Sequence, residues 1–170
     1  MINIDEITRH LTANAAAIQA LVQGISDAQA QWKPNPETWC LKEVMEHIYN
    51  EEHIDFRLHI KEYFSDPPHP FGPNNDKWIT VADHRQALAG FLSERQASLA
   101  WLKDLTSPDW EVKSSMEFGP EHEKVTLSAG DVLVSWVAHD YLHIRQINEL
   151  LFAWNERQAA PFSVQYAGGW

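Results

Sequence analysis

Apolar residues recur at helical spacing in four long stretches of the 170-residue chain. Ile4, Ile7, Leu11, Ile18, Leu21 and Val22 advance by roughly three or four, or by whole turns, which predicts a first helix over residues 4–23. Asn3 is placed to cap it and Gly24 to stop it. Ser26-Asp27 can open a short helical turn, but Lys33-Pro34-Asn35-Pro36 cannot continue one. Trp32 and Trp39 flank this break and are expected to plug one end of the core. Leu41, Val44, Met45, Ile48, Leu58 and Tyr63 carry a second stripe, over 41–64. Its cap would be Cys40, a poor one, with Glu43 placed to bond back to the cap backbone. Leu88, Phe91, Leu92, Leu99, Leu102 and Leu105 predict a third helix over 81–105, with Thr80 as candidate cap. The fourth, over about 128–155, opens on Ser128 and Asp131 in capping-box spacing and turns Val132, Leu133, Trp136, Ile147, Leu150, Leu151 and Trp154 inward.

Between the helices the pattern stops. Residues 65–79 hold Pro67, Pro68, Pro70, Gly72 and Pro73, and 106–127 read as irregular, with an extended piece near 125–127. Four long helices without a convincing sheet define an all-α four-helix bundle occupying residues 1–170 as one domain. Both long connections, between helices two and three and between three and four, can cross the bundle. Simple up-down-up-down wiring is therefore not required. The aromatic tail 161–170 is expected to pack back on the bundle.

Composition narrows the partners. Thirteen basic against 24 acidic side chains give a formal charge of −11. Nucleic acid needs clustered Lys and Arg, so it is not an expected partner, and an anionic membrane surface is disfavoured for the same reason. No apolar run approaches the ~20 residues that span a bilayer. The single cysteine, Cys40, excludes an intrachain disulfide. With no basic, apolar leader at Met1-Ile2-Asn3-Ile4, the expectation is a cytoplasmic protein.

The chemistry sits in His139-Asp140-Tyr141-Leu142-His143-Ile144-Arg145-Gln146. Histidines four apart on a helix share a face, so two imidazoles can reach one metal ion. Trp136, His139, His143 and Gln146 fall along that face. Val44, His47, Asn50, Glu51 and Ile54 do the same on helix two. If the faces meet, His47 completes a three-imidazole set, the ligand class of catalytic zinc sites with one position open. Spacing alone does not require that meeting. The competing reading makes His47 a core histidine bonded to a carbonyl, and the 139/143 pair a coincidence among nine histidines. His10, His53, His59, His69, His84 and His122 are read as surface or loop residues, and Asp140 and Glu46 as solvated or helix-pairing.

The segment Trp39-Cys40-Leu41-Lys42-Glu43-Val44-Met45-Glu46-His47 resembles the W-S-x-x-E-x-x-x-H motif of the DinB-like (YfiT-like) superfamily. His139-Asp140-Tyr141-Leu142-His143-Ile144-Arg145-Gln146-Ile147 is similar to its H-D-x-x-H-x-x-Q-I motif, and Ile25 to Pro34 fits its first interhelical loop. The departure is Cys40 in place of a capping Ser. The resemblance implies a bundle in which helices two and three run parallel. It also implies a divalent metal, zinc or nickel first, held by His47, His139 and His143, and a homodimer. Some members are thiol-dependent transferases and others were named hydrolases. The leading expectation is therefore a transferase that activates a low-molecular-weight thiol against a small electrophilic substrate, with a metal-dependent hydrolase or a non-catalytic binding module as alternatives. Glu51 and Gln146 are candidates for orienting a ligand or moving a proton, and Trp136, with the 65–79 loop, for walling the pocket.

Overall fold

The computed structural model describes residues 2–65, 78–116 and 124–168. Helix α1 (Ile4–Val22) starts at Asn3, whose side chain accepts from the Glu6 backbone N–H, as its sequence predicts. The short α2 (Asp27–Gln31) is capped by Ser26. Helix α3 (Leu41–Asn50) begins where Glu43 reaches back to the Cys40 backbone N–H at 2.7 Å. The second predicted helix is not continuous. After α3 a single π turn, Glu51–Asp55, precedes α4 (Phe56–Tyr63). The third, α5 (His84–Asp104), starts later than expected because Asp83, not Thr80, accepts from the Arg85 and Gln86 N–H groups. Ser128 and Asp131 form the expected capping box of α6 (Ala129–Ala159), which outruns its predicted end by about one turn.

One small sheet is present where none was expected. Strands β1 (Lys113–Met116) and β2 (Val125–Ser128) pair antiparallel, Lys113 opposite Ser128 and Met116 opposite Val125. The ribbon is tied to the start of α6 through Ala129 N–H to Val112 O, and to α4 through Tyr63 O–H to Leu127 O. Most of the predicted 65–79 loop lies outside the described residues.

Contacts fix the wiring. Tyr49 meets Gly90, His53 meets Glu94 and Lys61 lies over Trp101, so α3–α4 and α5 run parallel. By contrast His47 meets His139, Glu52 meets Trp136 and Tyr63 meets Leu127, so α6 runs antiparallel to α3–α4. The order is up, down, down, up. It requires one full-length crossing, between α4 and α5, which the loop length permits.

Two apolar clusters fill the bundle. One centres on Ile18, Val44, Met45, Ile48, Phe91 and Ile147, the other on Leu11, Ile60, Tyr63, Leu102, Leu133 and Trp136. Between them each long helix contributes a buried polar side chain: Asn14, Glu52, Arg95 and Asp140. Asp140, expected in solvent or pairing helices, is 2 % exposed and pairs with Arg95 across helices. His59 and His84, read as surface residues, are buried as well; His84 Nε2 lies 3.0 Å from the Ile25 carbonyl. His69 and His122 lie outside the described residues. Trp39 does not plug the core but is 44 % exposed, and in the described part of the tail Phe162 and Tyr166 stand exposed rather than packed on the bundle. Among the described residues no helix is long and apolar enough to cross a membrane.

Candidate metal centre

His47 leaves the last turn of α3, and His139 and His143 leave one face of α6, where the antiparallel packing brings the two faces together. The Nε2 of His139 lies 3.1 Å from that of His47 and 3.0 Å from that of His143. The three ligand atoms all lie within 4.8 Å of one another. Tetrahedral nitrogens around zinc, at about 2.0–2.1 Å, stand about 3.3 Å apart. The two measured separations are within about 0.3 Å of that spacing.

The far side of the His143 ring is held. His143 Nδ1 lies 2.8 Å from Gln146 Oε1; with the amide oxygen accepting, Nδ1 carries the proton and Nε2 keeps its lone pair free. The Glu51 carboxylate stands 3.6 Å from His47 Nδ1. It begins the π turn, a distortion frequent at functional sites. Glu51 and Gln146 thus sit behind the imidazoles.

Burial keeps the rings neutral. His47 falls to about 4, through desolvation and the neighbouring His143, against a weaker opposing pull from Asp55. His139 falls to about 3, from desolvation, His143, His47 and Arg95. His143 is also lowered, mainly by burial. Neutral imidazole is the form that binds metal. Desolvation, with Asp55 nearby, raises Glu51 to about 7 despite the opposing effect of His59.

Aromatic rings surround the centre. The Trp39 ring lies 5.1 Å from the His47 ring, and Trp78 stacks on it at 6.0 Å. Trp78 belongs to the loop expected to wall the site, and its indole N–H reaches Glu46 Oε1 at 3.2 Å. Trp136 occupies a deeper position. It is 1 % exposed, stacks on Phe56, which in turn packs against His139, and donates to Glu52 Oε2 at 2.9 Å. Sequence reasoning does not single out Trp39 or Trp78 as site residues. Trp39 nevertheless opens the motif that ends at His47, and Trp78 falls in the 65–79 loop expected to wall the pocket.

Fold and geometry together define an all-α bundle that gathers three imidazoles from two antiparallel helices. The sequence matches the DinB superfamily over residues 10–147, and the chain belongs to that family. Its fold is similar to that of YfiT from Bacillus subtilis, described as a probable metal-dependent hydrolase with an unusual four-helix bundle topology. The two are 18 % identical, with a TM-score of 0.67 and 88 % of each chain covered. No significant match is found among curated proteins.

Proposed function

We propose that His47, His139 and His143 hold a divalent ion and that the protein is a metal-dependent hydrolase of small molecules. The carrying observation is the convergence of three imidazoles, with His139 Nε2 3.1 and 3.0 Å from the Nε2 atoms of His47 and His143 and with Gln146 holding His143 from behind. A divalent ion supplies Lewis acidity in such a site and makes water a nucleophile near neutral pH.

The chain's own groups do the rest. Gln146 fixes the proton of His143 on Nδ1. Glu51, with its carboxyl near 7, holds or releases a proton beside His47. The Trp39 and Trp78 rings give a substrate flat apolar surfaces next to the centre. The only cysteine does not enter: Cys40 is 5 % exposed and burial raises its thiol. The likeness in fold to YfiT, itself described as a probable metal-dependent hydrolase, supports the hydrolytic reading.

A thiol transferase on the same centre is the competing chemistry, and one experiment separates the two. Protein stripped of metal and reloaded with zinc or nickel is assayed on a panel of activated esters and amides, with and without glutathione. Hydrolysis without thiol, abolished in His139→Ala, is the expected result. Turnover only with thiol selects the transferase. Failure of the loaded protein in both arms refutes a catalytic role on these substrates.

A further inference from the structure

The polar layer between the two apolar clusters is joined through one guanidinium. Arg95 Nη1 donates to Asp140 Oδ2 at 2.7 Å and to the Leu11 carbonyl at 2.9 Å. Its Nη2 lies 2.8 Å from Asp140 Oδ1 and 2.8 Å from Glu52 Oε2. Asn14 Nδ2 adds a bond to Asp140 Oδ2 at 3.3 Å, and Trp136 Nε1 one to Glu52 Oε2. Arg95 and Asp140 are each 2 % exposed and Glu52 is 1 % exposed.

Two features of this layer point beyond packing. Glu52 stands five residues after His47, and Asp140 directly follows His139. A guanidinium from α5 thus ties together the two segments that carry the imidazoles. Its planar fork meets Asp140 through both Nη atoms and reaches Glu52 as well, a fixed bidentate geometry that an ammonium does not offer. The second feature is charge. Two carboxylates against one guanidinium leave a formal surplus of −1 in the interior, and Glu52 Oε1 has no hydrogen-bond partner. Uncompensated buried charge is costly.

We propose that Arg95, Glu52 and Asp140 are positioning residues of the imidazole centre: they set the spacing of the two ligand-bearing helices, and their surplus negative charge is the counter-charge of a divalent cation at His47, His139 and His143. This rests on the metal reading above. The layer raises metal affinity without touching the ion, and it makes the metal-free protein less stable than its hydrogen bonds alone would.

The test is zinc and nickel titration of the full chain after chelator stripping, with thermal melts of the metal-free form. Glu52→Gln removes the surplus charge while its amide oxygen can still accept from Trp136 and Arg95. It should bind metal about 10–100-fold more weakly, as loss of outer partners typically does, while the metal-free melting temperature holds or rises. Asp140→Asn should weaken binding in the same direction, and Arg95→Lys, which keeps the charge but loses the planar fork, should weaken it through positioning alone. Unchanged affinity in Glu52→Gln and Asp140→Asn overturns the proposal. So does a lowered metal-free melting temperature with normal binding by the folded fraction, which marks a merely structural layer. Failure of both variants to fold overturns the counter-charge. Absence of metal binding by the wild type sinks the metal reading itself and this proposal with it.

Discussion

Acid should destabilise the metal-free protein less than its buried histidines alone would dictate, and removing Glu51 should expose the full effect. His47 and His139 titrate near 4 and 3 in the folded chain, against 6.5 unfolded. Below pH 6.5 the unfolded state therefore binds more protons, and stability falls as pH drops through the window from 6.5 toward 4. Between pH 7 and 5 each ring costs about 1.8 kcal/mol, or about 3.7 kcal/mol for the pair as an upper bound. Glu51 has the opposite sign. Its folded value near 7 lies above 4.5, so the native state gains protons first and is stabilised by about 2 kcal/mol over the same interval. His47 and Glu51 side chains are only 19 % and 22 % exposed, so solvent screens these effects little. The net loss is about 1.5 kcal/mol, to which His143 adds in the destabilising direction. At about 2–4 °C per kcal/mol for a domain this size, wild type should lose about 3–6 °C of melting temperature, and Glu51→Gln about 7–15 °C. Circular dichroism melts at pH 7, 6 and 5 in EDTA measure both. A Glu51→Gln slope equal to or shallower than wild type would refute the reasoning.

Other consequences follow from the same geometry. His139→Ala removes the nitrogen that contacts both others and should weaken metal binding by at least about 100-fold, taking structural zinc energies shared among the ligands as the scale; isothermal titration reads it directly. Gln146→Ala frees the tautomer of His143 and should weaken metal binding about 10–100-fold, with the metal-free melt nearly unchanged. Gly90→Ala places a methyl group 2.7 Å from the Tyr49 ring between the parallel helices. The overpacking, about 1–3 kcal/mol, should exceed the helix-propensity gain of about 1 kcal/mol, and a lowered urea midpoint would show it.

Much of this fold can be read from the chain because each long helix has its own stripe and its own stop. Asn3, Ser26, Glu43 and the Ser128–Asp131 box act locally, and local chemistry is visible in a single stretch of sequence. The i, i+4 spacing places His139 and His143 on one face, but only tertiary packing shows that His47 faces them. The π turn is hidden because Ile48, Glu52, Phe56 and Ile60 keep an uninterrupted four-residue step that reads as plain α-helix. The polar layer is hidden for a different reason. Asn14, Glu52, Arg95 and Asp140 each look like an ordinary surface residue within its own helix. The signal is joint: buried polar residues interrupt the apolar stripe of every long helix, and the charges of Glu52, Arg95 and Asp140 are of opposite sign. Bulk and aromaticity alone send Trp39 to the core, whereas its place beside His47 leaves it half in solvent.

The separation of His47 from His139 by 92 positions also governs when a metal can be captured. At translation speeds of about 5–20 residues per second, His47 waits roughly 5–20 s before the other two imidazoles have even been synthesised. A chain that has not yet reached His139 therefore cannot offer the proposed ion its full ligand set. The centre closes only when the α6 segment docks antiparallel to α3, which makes loading a late event that reports on completed assembly.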